Sequence, residues 1–316
     1  MDTQILDRIR SLRTLVVGDT MLDRYWVGEV NRISPEAPVP VVNVADVKEC
    51  AGGAGNVAAN ITSLGARCEL LSFVGDDDAG RRLSEILARA GVDRHLHIDA
   101  GGRTTEKLRI VARNQQLLRA DFEFRPSVEL LEQSVADFRA ISKGVDSVVI
   151  SDYGKGGLAH IEEMIEAAKE RQTPVIVDPR GADYARYRGA TLVTPNRDEF
   201  ALATGVSTQD ARFADTAREL VQEAELSGLL VTRGEEGMTL FLSTGEVLHQ
   251  DAAAREVFDV SGAGDTVVAV VAVGIALELG WAECINWATL GASAVVGRFG
   301  TSVVRKSDLN LASTQG

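Results

Sequence analysis

The chain has 316 residues, 45% of them hydrophobic and 25% charged, with a formal net charge of −13. That acidic balance excludes generic binding to nucleic acid or to anionic membranes, because phosphate backbones are held by clustered Lys and Arg. Cys50, Cys68 and Cys284 are odd in number and far apart, which suggests neither a disulfide framework nor a zinc cluster, and no apolar run reaches the ~18–20 residues a bilayer requires.

The first residues alternate charge with apolar side chains and lack a signal-peptide core, so a reducing cytoplasm is the simplest expectation. Leu15, Val16 and Val17 read as a buried first strand that ends at Gly18 and Asp19, with Asp23 four positions on. In open α/β sheets ligands bind at the carboxyl ends of strands, so both carboxylates are candidates for substrate, or else plain loop and capping residues. Pro35, Pro38 and Pro40 then favour extended chain. Residues 39–44, 108–113 and 117–122 read as strands of a small separate sheet.

Gly52 and Gly53 precede Asn56 and a helix whose apolar face is Val57, Ala58, Ile61 and Leu64, stopped by Gly65. These glycines let a ligand approach the backbone, or let small residues pack closely. A strand over 70–74 leads to the acidic loop 75–80, whose Asp residues also suit a helix start, and to a helix over 83–90. His95 and His97 fall on one face of a strand and form no metal pair with His160 or His249. Lys107, Arg109, Arg113, Asn114 and Arg119 form a local basic stretch in an acidic protein, suited to a phosphate or to a solvated strand face.

Strands over 148–151 and 174–177 deliver Asp152 and Asp178 to one edge, with Lys155 beyond the first and a helix over 161–169 between them. Strand and helix alternate, which implies a parallel sheet. The strand from Leu192 ends in Thr194-Pro-Asn196-Arg-Asp-Glu199, a pattern that also makes an ordinary helix cap. Residues 229–232 form another strand, followed by Gly234, Gly237 and a hairpin-like 238–242. A last helix runs over 281–296, before Gly297 and Gly300-Thr301.

Residues 259–266, Asp-Val-Ser-Gly-Ala-Gly-Asp-Thr, precede the apolar run 267–273. Gly262 and Gly264 permit a tight turn, and the run behind it reads as a buried helix whose N-terminus carries unpaired donors and a positive dipole end. Asp265 therefore sits at an anion site. Phosphoryl transfer needs this pairing of donors for a charged phosphoryl group with a base for the attacking hydroxyl, although a dipole-stabilised Asp in a plain turn has the same spacing. Neither a Walker loop nor a dinucleotide-binding Gly-x-Gly-x-x-Gly occurs after the first strand.

The 259–266 turn resembles the second signature of the ribokinase-like, PfkB-type sugar kinases, usually Asp-Thr-x-Gly-Ala-Gly-Asp, with Val260 replacing the common Thr. The resemblance covers nearly the whole chain, with the motifs in family order. Residues 23–40, with Arg32-Ile-Ser-Pro-Glu-Ala-Pro-Val-Pro, resemble more particularly the bacterial heptose 7-phosphate kinases of lipopolysaccharide inner-core synthesis.

The resemblance implies one ribokinase-like domain over 1–316, a three-layer α/β fold with a mostly parallel central sheet. A β lid of about 23–46 and 103–124 would also carry a homodimer interface. The implied cofactors are ATP and Mg²⁺, with a loop for a monovalent cation such as K⁺. Asp265 is implied as the base and Gly262, Ala263 and Gly264 as the anion hole. Ser261, Thr232, Gly234 and Gly237 would lie along the nucleotide, with Asn196, Glu199 and Asp178 around the metal. Asp19, Asp23, Gly53 and Asn56 would meet the sugar, and Lys107, Arg113, Asn114 and Lys155 its remote phosphate. Thr289 stands where relatives often have Asn against adenine, and Arg180 where they often have Lys. Bacterial relatives are often fused to a nucleotidyltransferase with His-x-Gly-His; no such motif occurs here, so adenylyl transfer would need a separate protein. The rival expectations are a kinase of another sugar and a silent sugar- or nucleotide-binding regulator.

Overall fold

The computed structural model describes residues 3–113, 115–253, 257–298 and 300–310. After helix α1 (Thr3–Ser11), strand β1 (Arg13–Gly18) runs straight into β2 (Thr20–Ile33) and its partner β3 (Pro40–Gly53). Then come α2 (Ala54–Leu64), β4 (Arg67–Gly75), α3 (Asp78–Arg89), β5 (Asp93–Asp99), β6 (Glu106–Ala112), β7 (Gln115–Phe122) and α4 (Val128–Ile141). The second half continues with β8 (Ser147–Ser151), α5 (Ile161–Lys169), β9 (Val175–Asp178), β10 (Leu192–Val193), α6 (Arg197–Thr204), α7 (Phe213–Glu223) and β11 (Gly228–Thr232). It closes with β12 (Met238–Leu242), β13 (Val247–Gln250), α8 (Ala263–Ala276) and α9 (Trp281–Val296).

Nine strands form the large sheet in the order β13-β12-β11-β10-β9-β8-β1-β4-β5. Pairing is parallel from β11 to β5 and antiparallel only at the β11–β12–β13 edge. Strands covered on both faces read as continuous apolar runs, which is why β1 and β8 carry Leu15-Val-Val and Val148-Val-Ile. Alternate residues enter two separate cores. Val16, Val149, Ile176, Leu192 and Leu230 pack with α2, α8 and α9, while Leu15, Val17, Val148, Ile150, Val177 and Val231 pack with α4, α5 and α7. The molecule is thus three-layered, with the apolar helix α8 buried along most of its length.

A second sheet has the order β3-β2-β6-β7. The expected strands over 108–113 and 117–122 are β6 and β7, and that over 39–44 is the start of the longer β3. The expectation contained no strand over 20–33. There β2 spans 14 residues, including Asp23, which sequence pattern places in a loop because Gly28 and the charged Asp23, Arg24 and Glu29 interrupt any apolar alternation. Bulges near Gly28 and Arg32 accommodate that irregularity. Because only Asp19 separates β1 from β2, the small sheet rises directly from the carboxyl edge of the large one.

Helices α5 and α9 have the expected bounds, and α2 ends at Gly65 in the left-handed conformation, φ 100°. Helix α3 starts earlier than expected. Asp77 caps it by accepting from Gly80 N at 2.8 Å, so the acidic residues here are helix starters.

Candidate active site

Strands β1, β8, β9, β10 and β11 end on one edge and bring Asp19, Asp152, Asp178, Asn196 and Thr232 together with the N-terminus of α8. Gly262, at φ 79°, is the N-cap of α8. A Cβ on Gly262 would stand 2.7 Å from Asn56 Nδ2, so glycine is required for space as well as for conformation. Helix α8 begins inside the motif rather than after it. Ala263 N–H is engaged with Val260 O at 3.2 Å, whereas the N–H groups of Gly262, Gly264 and Asp265 have no acceptor among the described residues. Of the expected donors Gly262, Ala263 and Gly264, the amide of Ala263 is thus spent within the turn, and the N–H of Asp265 stands free in its place. Asp259 holds the turn by accepting from Ser261 N at 2.9 Å and Gly300 N at 3.1 Å.

Asp265 is 3% exposed. Its Oδ2 accepts from Asn56 Nδ2 at 2.7 Å and its Oδ1 from the Tyr153 hydroxyl at 2.7 Å. Burial raises its pKa to about 6, against the lowering effect of those two hydrogen bonds. Asp178 is held well above the ordinary carboxylate range by burial and by the charges of Asp265, Glu199 and Asp152. Burial likewise raises Glu199. Asp152, Asp178 and Glu199 offer hard oxygen atoms of the kind a divalent ion takes, but no three of these carboxylates bring their oxygens within 4.8 Å of one another, and Arg186 stands 3.2 Å from Asp152 and Arg180 3.5 Å from Glu199.

Two pockets meet at Thr232 and Gly264. The smaller, about 250 Å³, is polar and is lined by Tyr153, Asp178, Asn196, Glu199, Gly262 and Asp265 among others. The larger, about 530 Å³, is mostly apolar and takes in Gly234, Gly237, Val260, Val267, Thr289 and Val296. A flat aromatic base suits the second pocket, and a charged tail leading to the junction suits the first. Thr289 lines the apolar pocket but donates its hydroxyl to Ile285 O at 2.9 Å, so toward a ligand it can only accept. A surface hollow of about 660 Å³ beside α5 shares no residue with this pair.

Several expected ligand contacts are occupied within the protein. Asp19 accepts Tyr153 N at 3.1 Å, Lys155 N at 2.9 Å and Gly157 N at 3.1 Å, so its carboxylate shapes the loop after β8. Asn56, 2% exposed, holds Asp265 and Asn60 rather than facing open space. Asp23 pairs with Arg109 at 2.6 Å and accepts from Thr301 Oγ1 at 3.2 Å. Asn196 and Glu199 complete a reciprocal capping box on α6, and Glu199 also lies 3.5 Å from Arg180. Gly53 has φ 59°, and a Cβ there would stand 2.4 Å from Asp19 O.

The basic candidates do not converge. Lys107, opposite Asp23 on β2, stands 5.4 Å from the Tyr153 ring centroid and makes no ion pair among the described residues; burial lowers its pKa. Lys155 is paired with Glu123. Arg113 lies past the far end of β6, donating to Val30 O at 3.0 Å, roughly 20 Å along the strand from Lys107 at about 3.3 Å per residue. Asn114 lies outside the described residues, as does position 299 of the loop expected to hold a monovalent cation. Sequence reasoning missed Tyr153. Its only signal was its place between Asp152 and Lys155 at a strand end.

Residues 12–307 match the pfkB family carbohydrate kinase model. The chain is 50% identical over 309 residues to the "D-beta-D-heptose 7-phosphate kinase" of Bordetella bronchiseptica, covering 98% of each. It is 46% identical to the "Bifunctional protein HldE" of Methylococcus capsulatus, spanning 98% of this chain and 65% of that protein. Among solved structures, Arabidopsis thaliana ribokinase complexed with ribose and ATP superposes with a TM-score of 0.76 at 22% identity, covering 95% of this chain and 98% of that one. Escherichia coli phosphofructokinase-2 in complex with substrates and products gives 0.80 at 20% identity, covering 95% and 97%. These likenesses establish the ribokinase-like fold, and with the sequence matches they establish that the chain belongs to the pfkB family of carbohydrate kinases, ATP-dependent sugar kinases.

Proposed function

We propose that this kinase transfers the γ-phosphoryl group of ATP to the C1 hydroxyl of D-glycero-D-manno-heptose 7-phosphate, giving the 1,7-bisphosphate for ADP-heptose and lipopolysaccharide inner-core synthesis. The observation that carries the chemistry is a buried Asp265 beside three unengaged N–H groups at the junction of the two pockets. What supports the acceptor is the 50% identity over 98% of both chains to a protein named D-beta-D-heptose 7-phosphate kinase.

In this reading Asp265 takes the proton of the C1 hydroxyl as its oxygen attacks in line. The N–H groups of Gly262, Gly264 and Asp265 receive the charge that gathers on the transferring group. Thr232, Gly234 and Gly237 border the nucleotide, and Lys107 meets the 7-phosphate. Asp178 and Glu199, with Asn196 nearby, would hold Mg²⁺ or its waters, and the ion would neutralise charge on the nucleotide phosphates. The four-stranded sheet acts as the lid over the sugar. An ATP-dependent reaction with no helix among the described residues able to cross a membrane fits the cytoplasm.

The deciding experiment is ADP release with Mg-ATP, comparing the heptose 7-phosphate with ribose, fructose 6-phosphate and no sugar. Rapid release with the heptose phosphate alone is the expected result. Preference for another sugar would keep the family chemistry and discard the acceptor.

A homodimer through the small sheet is part of the same reading. Ile33, Val39, Val44, Val47, Leu117 and Leu118, all on or beside that sheet, are exposed large apolar side chains, and such clusters mark interfaces. Sedimentation should give a particle of twice the chain mass, reduced to one by Val47→Glu with Leu118→Glu. A monomeric wild type would overturn the dimer.

A further inference from the structure

Tyr153 stands where the attacking hydroxyl must come. A general base has to receive a hydrogen bond from the hydroxyl it deprotonates. In this structure the hydroxyl making that bond to Asp265 Oδ1, at 2.7 Å, is the Tyr153 phenol, while Asn56 occupies Oδ2. The phenol belongs to the wall of the small polar pocket, so it enters from the side on which a sugar and the phosphoryl group would meet. Asp265 is 3% exposed, and each of its carboxylate oxygens already accepts a hydrogen bond, so an incoming hydroxyl meets the phenol at Oδ1. The backbone around it is fixed: Asp19 accepts the N–H groups of Tyr153, Lys155 and Gly157. Rotation of the side chain is therefore the available movement.

We propose that Tyr153 is a placeholder for the acceptor hydroxyl: without sugar its phenol occupies Asp265 and withholds the base from water, and the sugar hydroxyl displaces it. The inference rests on the reading of Asp265 as the base. Burial and the charges of Asp265 and Asp178 hold the phenol well above its ordinary pKa, so it remains a protonated donor and no nucleophile. The reaction it suppresses is hydrolysis. Water would give a proton to Asp265 while its oxygen bonds to the γ-phosphorus and the bond to the ADP oxygen breaks, releasing ADP and phosphate.

The test is phosphate release from Mg-ATP without sugar in Tyr153→Phe, which removes the hydroxyl and keeps the ring. The release should rise at least roughly tenfold, well inside the ~10²–10⁴ that a general base supplies. Adding Asp265→Asn should abolish the rise. Tyr153→Leu, which also lacks the hydroxyl, provides a second readout should the first variant fold poorly. Unchanged release in both variants, or a rise that survives Asp265→Asn, overturns the placeholder. Wild-type sugar turnover in Asp265→Asn alone would instead remove the base reading, so the two failures are distinguishable.

Discussion

Asp265→Asn is expected to lower kcat by ~10²–10⁴-fold with little change in nucleotide affinity, because the amide cannot accept the acceptor's proton. The substitution is nearly isosteric. Its retained oxygen can still accept from Asn56 or Tyr153, and the three N–H groups at the α8 N-terminus are untouched. Steady-state turnover beside nucleotide binding by calorimetry separates the effects. Wild-type turnover would refute the assignment, and lost binding with lost turnover would make Asp265 a structural residue.

A pH dependence belongs to the same carboxylate. Five groups face it: Asn56 from α2, Asp23 from β2, Lys107 from β6, Tyr153 from the loop after β8 and Asp178 at the end of β9. Burial is the largest influence and raises the pKa to about 6. The base is the ionised form, so activity is present above about pH 6 and falls tenfold per unit below it, whereas a solvated Asp would remain ionised to about pH 4. A sugar phosphate itself titrates at roughly pH 6. Carboxyl ¹³C resonances of the free protein, compared between wild type and Asp265→Asn, therefore locate the titration independently. A resonance that vanishes in the variant but titrates near pH 4 would contradict it.

The fold was legible where burial on both sides imposes continuous apolar runs: β1, β8, β9 and β11, and helices α5 and α9 with their bounds. The 20–33 strand was not, because its partners β3 and β6 lie far along the chain and bulges break the alternation that would reveal it. At the site, spacing located Asp265 and the glycines of its turn. It could not show which polar groups spend their hydrogen bonds inside the protein. Asn56 sits 209 residues from Asp265, and Asp19 lies 134 to 138 residues from the N–H groups it accepts. A motif read as ligand contacts thus becomes, in three dimensions, partly the scaffold around Asp265 and the loop after β8.

Asp19 decides between those readings most sharply. If its role is to order the loop after β8, Asp19→Leu leaves three buried or half-buried N–H groups without acceptors. Each orphaned donor costs about 1–3 kcal/mol, so unfolding in urea should show a loss of roughly 3–5 kcal/mol after partial relaxation. Turnover should fall as well, because the same loop carries Tyr153 and Lys155. Asp19→Asn retains one accepting oxygen and turns the other into a donor, so an intermediate loss is expected. A contact to a sugar hydroxyl alone would behave differently. Stability would be kept in both variants, KM for the sugar would rise, and Asn, which can still hydrogen-bond a hydroxyl, would be close to neutral. Wild-type stability in Asp19→Leu would therefore return Asp19 to the substrate and leave the loop ordered by other means. A large stability loss graded from Asn to Leu would fix it as the residue that builds the acceptor side of the site.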